Sequence, residues 1–331
     1  MIKKHQIWPM DIEHIVLNIT QADEITKTAL VQELWSGYGE IKRYNLKGGT
    51  HPSVIVKHIH YPNQHKHPRG WNTNISHQRK LKSYQVERTW YQQYADKTND
   101  HCRVPQSFHA VEVGDELLLI MEDLDTSGYP KRLNPDLVTL KDAKNCLSWL
   151  ASFHAQFMNT KPDGLWTIGT YWHYDTRPDE WGKMQNLPLK KAAKGIDERL
   201  YNAQYQTLVH GDAKLANFCF SENGKVAAVD FQYVGGGCGI KDVAYFISSC
   251  FEESECEKYE KELLDHYFDQ LELMLDKSID FQLVKNEWLA LYPYAWADFY
   301  RFLDGWSPGH WKMHDYSKRL TQKVIEELNQ S

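Results

Sequence analysis

Short apolar runs broken by turn residues dominate the first third of the chain. Glu40 to Leu46 and Ser53 to Ile59 each read as a β-strand, flanked by the turn signals Gly37-Tyr38-Gly39 and Gly48-Gly49. Residues 23 to 35 fit helix and strand equally well. A polar stretch from Tyr61 to Ser76, rich in His, Asn, Pro and Gly, predicts a long loop. Helical spacing follows from about Gln78 to Lys97, where Leu81, Tyr84, Arg88 and Tyr91 step by threes and fours. Glu116 to Glu122 is an apolar run of strand length, closed by the polar segment Asp123 to Gly128.

Beyond Gly128 the period becomes that of a helix. Leu147, Leu150, Ala151, His154 and Met158 share one face. Further helices are expected near Lys241 to Phe251 and from about Glu253 to Leu275. The last forty residues also favour helix, interrupted at Pro293 and at Gly305 to Pro308. These patterns predict an α+β protein of two lobes. A strand-rich N-lobe covers residues 1–121, a hinge 122–127, and a mainly helical C-lobe 128–331.

Composition narrows the function. The chain has 331 residues, with 38 Lys and Arg against 44 Asp and Glu, a formal charge of −6. A generic polyanion binder carries the opposite sign, so nucleic acid is not the expected partner. No apolar run approaches the ~20 residues of a membrane span, and the N-terminal residues lack the apolar core of a secretory signal. The six cysteines are scattered without a CxxC pair, which predicts reduced thiols and a cytoplasmic location.

The chemistry concentrates between Leu208 and Phe231. Asn223-Gly224 is the preferred pair for a two-residue hairpin turn. In such a hairpin Glu222 pairs with Lys225, and the register sets Asn217 opposite Asp230, with Cβ atoms roughly 4.5–5.5 Å apart. An amide oxygen and a carboxylate at that spacing can share one hard cation such as Mg²⁺. Asp212, in the turn entered through His210-Gly211, is placed to accept a hydroxyl proton. Lys214 can set a cation near a transferring phosphoryl group.

HGDAKLAN followed by VDFQ resembles the catalytic loop and metal-binding turn of the protein-kinase-like phosphotransferases. The His-Gly-Asp form and Gln232 are similar to the aminoglycoside phosphotransferase and choline kinase group, and with DVAYFI the pattern most resembles its ecdysteroid-kinase-like branch. The likeness spans roughly residues 36 to 250. It implies a bilobal kinase-like fold and an enzyme that uses ATP and Mg²⁺ to phosphorylate a hydroxyl of a small molecule. Asp212 and Lys214 would then be catalytic, with Asn217 and Asp230 on the metal. Ser36, Gly37, Tyr38 and Gly39 would form the nucleotide loop. Lys57 would bind ATP phosphates with Glu87 as its helix partner, and Glu122 and Leu124 would present backbone groups to adenine. The glycine loop lacks a full GxGxxG. No Ala-Pro-Glu segment follows VDFQ, and only twelve residues separate it from Asp242, too few for a protein-substrate activation loop.

Other features read more plainly. Asp242 is expected to cap the helix DVAYFI, and His154 to be a satisfied core histidine. His58, His60, His65 and His67 fit no common structural zinc spacing and read as a polar loop. Trp288 to Trp311 is crowded with aromatics, most of them core. Trp296, Tyr300 and Asp304 share a helical face that would suit a cationic amino alcohol or a flat polycyclic alcohol as acceptor. The rival readings are a kinase-fold nucleotide-binding regulator without turnover and a protein-substrate kinase. Acceptor identity and oligomeric state are not encoded in any motif.

Overall fold

The computed structural model describes residues 10–34, 37–61 and 74–330. The chain divides into two compact units, one of residues 1–97 and 105–130, the other of residues 98–104 and 131–331.

Among the described residues, the first unit is a five-stranded antiparallel sheet with two α-helices. Helix α1 (Ile12–Thr20) precedes β1 (Glu24–Glu33), β2 (Gly39–Lys47) and β3 (Ser53–His60); helix α2 (Asn74–Gln93) comes next, then β4 (Ser107–Val113) and β5 (Glu116–Glu122). The strand order is β1-β2-β3-β5-β4. Within residues 23 to 35, ambiguous by pattern, Glu24–Glu33 form the edge strand β1, which is exposed along nearly its whole length. Val54 and Val56 point to one face of β3 and pack with Leu118, Ile120 and Val16 of α1. The alternate residues Ser53, Ile55, Lys57 and Ile59 therefore point to the other face. His58 and His60 belong to β3 rather than to a loop, whereas His65 and His67 lie outside the described residues. Arg43 and Ser53 both donate to the Asp123 carboxylate at 2.6 Å, which anchors the segment after β5 to β2 and β3.

The second unit is mainly helical. Helices α3 (Leu140–Gln156), α4 (Pro178–Lys183) and α5 (Leu187–Tyr201) lead to four short strands. These are β6 (Thr207–Val209), β7 (Phe218–Phe220), β8 (Val226–Ala228) and β9 (Gly235–Gly237). They are followed by α6 (Ile240–Cys250), α7 (Glu253–Met274), α8 (Phe281–Trp306) and α9 (Asp315–Gln330). Thr139 and Asp142 form a reciprocal capping box that starts α3. The expected break at Pro293 does not occur, and α8 runs through it. The carbonyl a proline leaves without its donor, four residues back, belongs here to exposed Leu289, so water can satisfy it. Burial of Trp288, Leu291, Tyr292 and Trp296 on either side holds the helix together. Its end at Trp306 matches the Gly305 to Pro308 signal. No helix among the described residues is long and apolar enough to cross a membrane.

Candidate active site

Asp212 sits in the turn after β6, and the residues around it fix that turn from both sides. Gly211 has a φ of +79°, and a Cβ there would lie 2.1 Å from the Tyr233 carbonyl oxygen, so only glycine fits. The Asp212 N–H donates to His210 Nδ1 at 3.2 Å, while His210 Nε2 donates to the Val229 carbonyl at 3.0 Å. The imidazole thus ties the Asp212 turn to the residue preceding Asp230.

Asp212 is buried, and both of its side-chain oxygens are engaged. Oδ1 accepts from the Tyr245 hydroxyl at 3.0 Å. Oδ2 accepts from Lys214 Nζ at 2.8 Å and from Asn217 Nδ2 at 3.1 Å. Asn217 Nδ2 also donates to the Asp212 carbonyl at 2.8 Å, which directs its Oδ1 away from Asp212 as an oxygen donor. Burial works against the charge on Lys214, but the nearby carboxylates of Asp212 and Asp230 outweigh it and raise its pKa. Lys214 is therefore the electrostatic link between the two acids. Asp230 has a φ of +70°, uncommon for a residue with a side chain, and its Oδ1 accepts from Gln232 Nε2 at 2.8 Å.

The hairpin register differs from the expected one by a residue. Phe218 pairs with Ala228 and Phe220 with Val226, so Ser221 faces Lys225 and the loop has three residues. Only Gly224 carries a positive φ, whereas the two-residue turn requires it at Asn223 as well. Asn217 consequently faces Val229, to which its carbonyl is hydrogen-bonded at 3.0 Å, and Asp230 follows one residue later. Hydrogen bonds join Asn217 and Lys214 to Asp212, and Asp230 enters through its charge near Lys214, not as a cross-strand partner of Asn217.

Asp242 is not the cap of α6, as the helix begins two residues earlier with Gly239 at its N-cap. Its carboxylate accepts the backbone N–H groups of His210 at 2.6 Å and Gly211 at 3.0 Å, and it meets His154 Nε2 at 3.2 Å. His154, with Tyr267 on its other nitrogen at 2.8 Å, is a satisfied core residue as expected. Sequence reasoning missed that Asp242 props the Asp212 turn.

The first unit holds the remaining candidates. Lys57 on β3 and Glu87 on α2 form a buried ion pair at 2.7 Å. Gly37, Tyr38 and Gly39 lie at the start of β2, and the Tyr38 hydroxyl meets His77 Nδ1 at 2.6 Å. Ser36 lies outside the described residues. Glu122 ends β5 and its carboxylate accepts from the Gln106 N–H, while Leu124 is buried just beyond.

Of the aromatic segment, Trp296 and Tyr300 are buried. Trp296 packs on Tyr292, His314 and Tyr316. Asp304 accepts the backbone N–H groups of Gln185 and Asn186 at 2.8 and 2.9 Å. Ring contacts that lead to Asp212 run through other residues. Tyr245, which donates to Asp212, packs on Tyr171, Trp172 and Phe299. Burial first, then the neighbouring Tyr171 and Asp212, hold the Tyr245 phenol far above its usual pKa, so it remains a donor.

Lys312 Nζ lies 4.8 Å from the Tyr245 ring centre and 5.4 Å from that of Phe299. Burial lowers its pKa to about 8. The unfolded chain binds this proton up to about pH 10.4, so the cost of the buried charge is fully present below pH 8 and fades as pH rises toward 10.4. Lys312→Met is expected to stabilise the protein at pH 7 by up to about 3 kcal/mol, the attraction of the rings offsetting part of this. The advantage should shrink between pH 8 and 10, as urea melts at both ends of that range would measure.

A helical unit that builds one buried aspartate, a lysine and two oxygen donors into a turn and hairpin, together with a sheet unit bearing a Lys–Glu pair, defines a protein-kinase-like phosphotransferase. A profile of the Ecdysteroid kinase-like family matches residues 40–163 and 177–278, and the chain belongs to that family of small-molecule kinases. No curated protein matches the sequence significantly. Among solved structures, the chain is similar to the amicoumacin kinase hAmiN in complex with AMP-PNP, Ca²⁺ and Ami. That match has a TM-score of 0.56 at 12% identity and covers 96% of this chain and 94% of that one. It is also similar to the aminoglycoside phosphotransferase APH(4)-Ia, with a TM-score of 0.52 at 11% identity over 96% and 99% of the two chains. At such identities these likenesses establish the fold, which is α+β and kinase-like, as expected.

Proposed function

We propose that the protein transfers the γ-phosphoryl group of ATP to a hydroxyl of a small molecule with Mg²⁺ as the metal. The observation that carries this reading is the hydrogen bonding that gathers Asp212, Lys214 and Asn217, with Lys214 also in the field of Asp230. Asn217 Oδ1 and the Asp230 carboxylate are hard oxygen donors, the kind Mg²⁺ takes. Bound ATP would supply the phosphoryl group, and the metal would offset the charge on its oxygens.

Asp212 accepts the proton of the acceptor hydroxyl and aims it, while Tyr245 and Lys214 hold the carboxylate in place. Lys57, positioned by Glu87, holds the α- and β-phosphates. Ser36, Gly37, Tyr38 and Gly39 line the phosphates, and the backbone at Glu122 and Leu124 receives adenine. The six cysteines are buried and unbridged, which supports a cytoplasmic setting.

On the acceptor side, the rings joined to Asp212 through Tyr245 favour Tyr171 and Phe299 as the wall, whereas Trp296 packs on Tyr292, His314 and Tyr316 and Asp304 is engaged by the Gln185 and Asn186 N–H groups. Trp296→Ala is then expected to cost about 3–5 kcal/mol of stability and leave both KM values unchanged. An acceptor-selective rise in KM would return Trp296 to the wall. The direct test is ADP release from ATP and Mg²⁺ across a library of amino alcohols, sugars and polycyclic alcohols. Calorimetry that detects no Mg²⁺-dependent ATP binding would overturn the reading. ATP binding without acceptor-dependent ADP release from any class would favour a regulator without turnover.

A further inference from the structure

His58, His60 and Glu116 are left over from the kinase chemistry, and the fold brings them together. His58 and His60 are two apart on β3, so both side chains project from the same face of the sheet. That face carries Val54 and Val56 and is opposite to the one bearing Lys57. Glu116 opens β5 and pairs directly with His60 across the sheet, while His58 is two pairs further along, opposite Leu118. Two strands far apart in sequence thus deliver three donors to one corner. His58 Nε2 lies 2.9 Å from Glu116 Oε2 and His60 Nδ1 lies 3.9 Å from Glu116 Oε1. One donor atom from each residue lies within 4.8 Å of the other two.

We propose that His58, His60 and Glu116 bind a borderline-soft divalent cation, with Zn²⁺ as the fitting ion, on the face of the sheet opposite Lys57. Two imidazole nitrogens and one carboxylate oxygen are a donor set that Zn²⁺ takes and Mg²⁺ does not, since Mg²⁺ prefers oxygen alone. Tetrahedral bonds of about 2.0–2.1 Å place donors about 3.3 Å apart. His58 and Glu116 are already nearer than that. The His60 side chain is 54% exposed and has room to swing inward. Its exposure also leaves the fourth position to water. His58 and Glu116 both ligate through lone pairs, so the hydrogen bond between them gives way to the ion. The neighbouring Glu40, paired with His58 from β2, is held by Lys42 at 2.5 Å and is not counted as a ligand. The sequence argued against zinc because His58, His60, His65 and His67 match no common structural spacing and no cysteine is near. The third ligand comes from β5, fifty-six residues after His60, where no local pattern could indicate it.

The test is calorimetric titration of the untagged full chain with ZnCl₂ in millimolar MgCl₂, which saturates hard oxygen sites. One Zn²⁺ per chain is expected, with affinity falling about 10–100-fold in His60→Ala and in Glu116→Gln and unchanged in Asp230→Ala. His60 is exposed and Glu116 half-buried, and retained ATP binding would show that both variants fold. Co²⁺ should give a visible absorption band in the wild type and lose it in His60→Ala. Absence of saturable Zn²⁺ binding under excess Mg²⁺ would overturn the proposal. So would equal affinity in the His60 and Glu116 variants, or loss in Asp230→Ala, which would assign the ion to the catalytic pair.

Discussion

Asp212→Asn is expected to lower kcat by about 10²–10⁴-fold while leaving nucleotide affinity within a few-fold. The substitution keeps the shape of the side chain, and the backbone bonds that hold the turn do not involve the carboxylate. His210 still receives the Asp212 N–H, and Asp242 still receives those of His210 and Gly211. What changes is the oxygen that would take the acceptor's proton. An amide cannot do so, and its NH₂ would face either Lys214 or the Tyr245 hydroxyl, both donors to the native carboxylate. Lys57 and Glu87, proposed to hold the nucleotide phosphates, belong to the other structural unit and are untouched. Single-turnover kinetics beside calorimetric ATP titration would separate the two quantities. Loss of ATP binding in a folded Asp212→Asn protein, or an undiminished kcat, would require the roles to be reassigned.

Asp230→Ala should abolish turnover at every Mg²⁺ concentration, because it removes the stronger of two oxygen donors proposed for the metal. Asp230→Gly should be equally inactive. The two variants should differ in stability, however. Asp230 occupies the left-handed region, where any Cβ costs roughly 1–2 kcal/mol and glycine costs nothing. Asp230→Gly is therefore expected to melt at a higher temperature than Asp230→Ala, partly offset by the greater freedom of glycine in the unfolded chain. Equal melting temperatures would mean that the backbone relaxes when the carboxylate is lost. Residual Mg²⁺-dependent turnover in either variant would remove Asp230 from the metal.

Much of this arrangement could be read from the chain alone, and the exceptions have physical causes. The runs that became β3 and β5 are inner strands of the sheet, where burial forces apolar residues into sequence, and β2, also inner, buries Tyr44 and Leu46. β1 is an edge strand with little to bury, so its pattern carried no period. The motifs around Asp212 were legible because each residue there is constrained by its neighbours a few positions away. The hairpin register was not, since Asn-Gly serves both the two-residue turn and the glycine end of a three-residue loop. Pro293 was read as a break because local chemistry forbids it, yet packing on both sides of α8 prevails. Asp242 was misread for a related reason. Its partners lie about thirty residues upstream and are backbone groups, which leave no mark on side-chain pattern.

The bond pair from Asp242 also sets how water reaches the Asp212 turn. Backbone amides in loops commonly exchange their hydrogens during small local openings. Those of His210 and Gly211 lie in a turn without a strand ladder, yet they point at a carboxylate rooted in α6, a helix buried at every position. Baring these amides means lifting α6 from its surroundings. In deuterated water, the turn beside the proposed catalytic base should thus keep its hydrogens as long as the helices of the core.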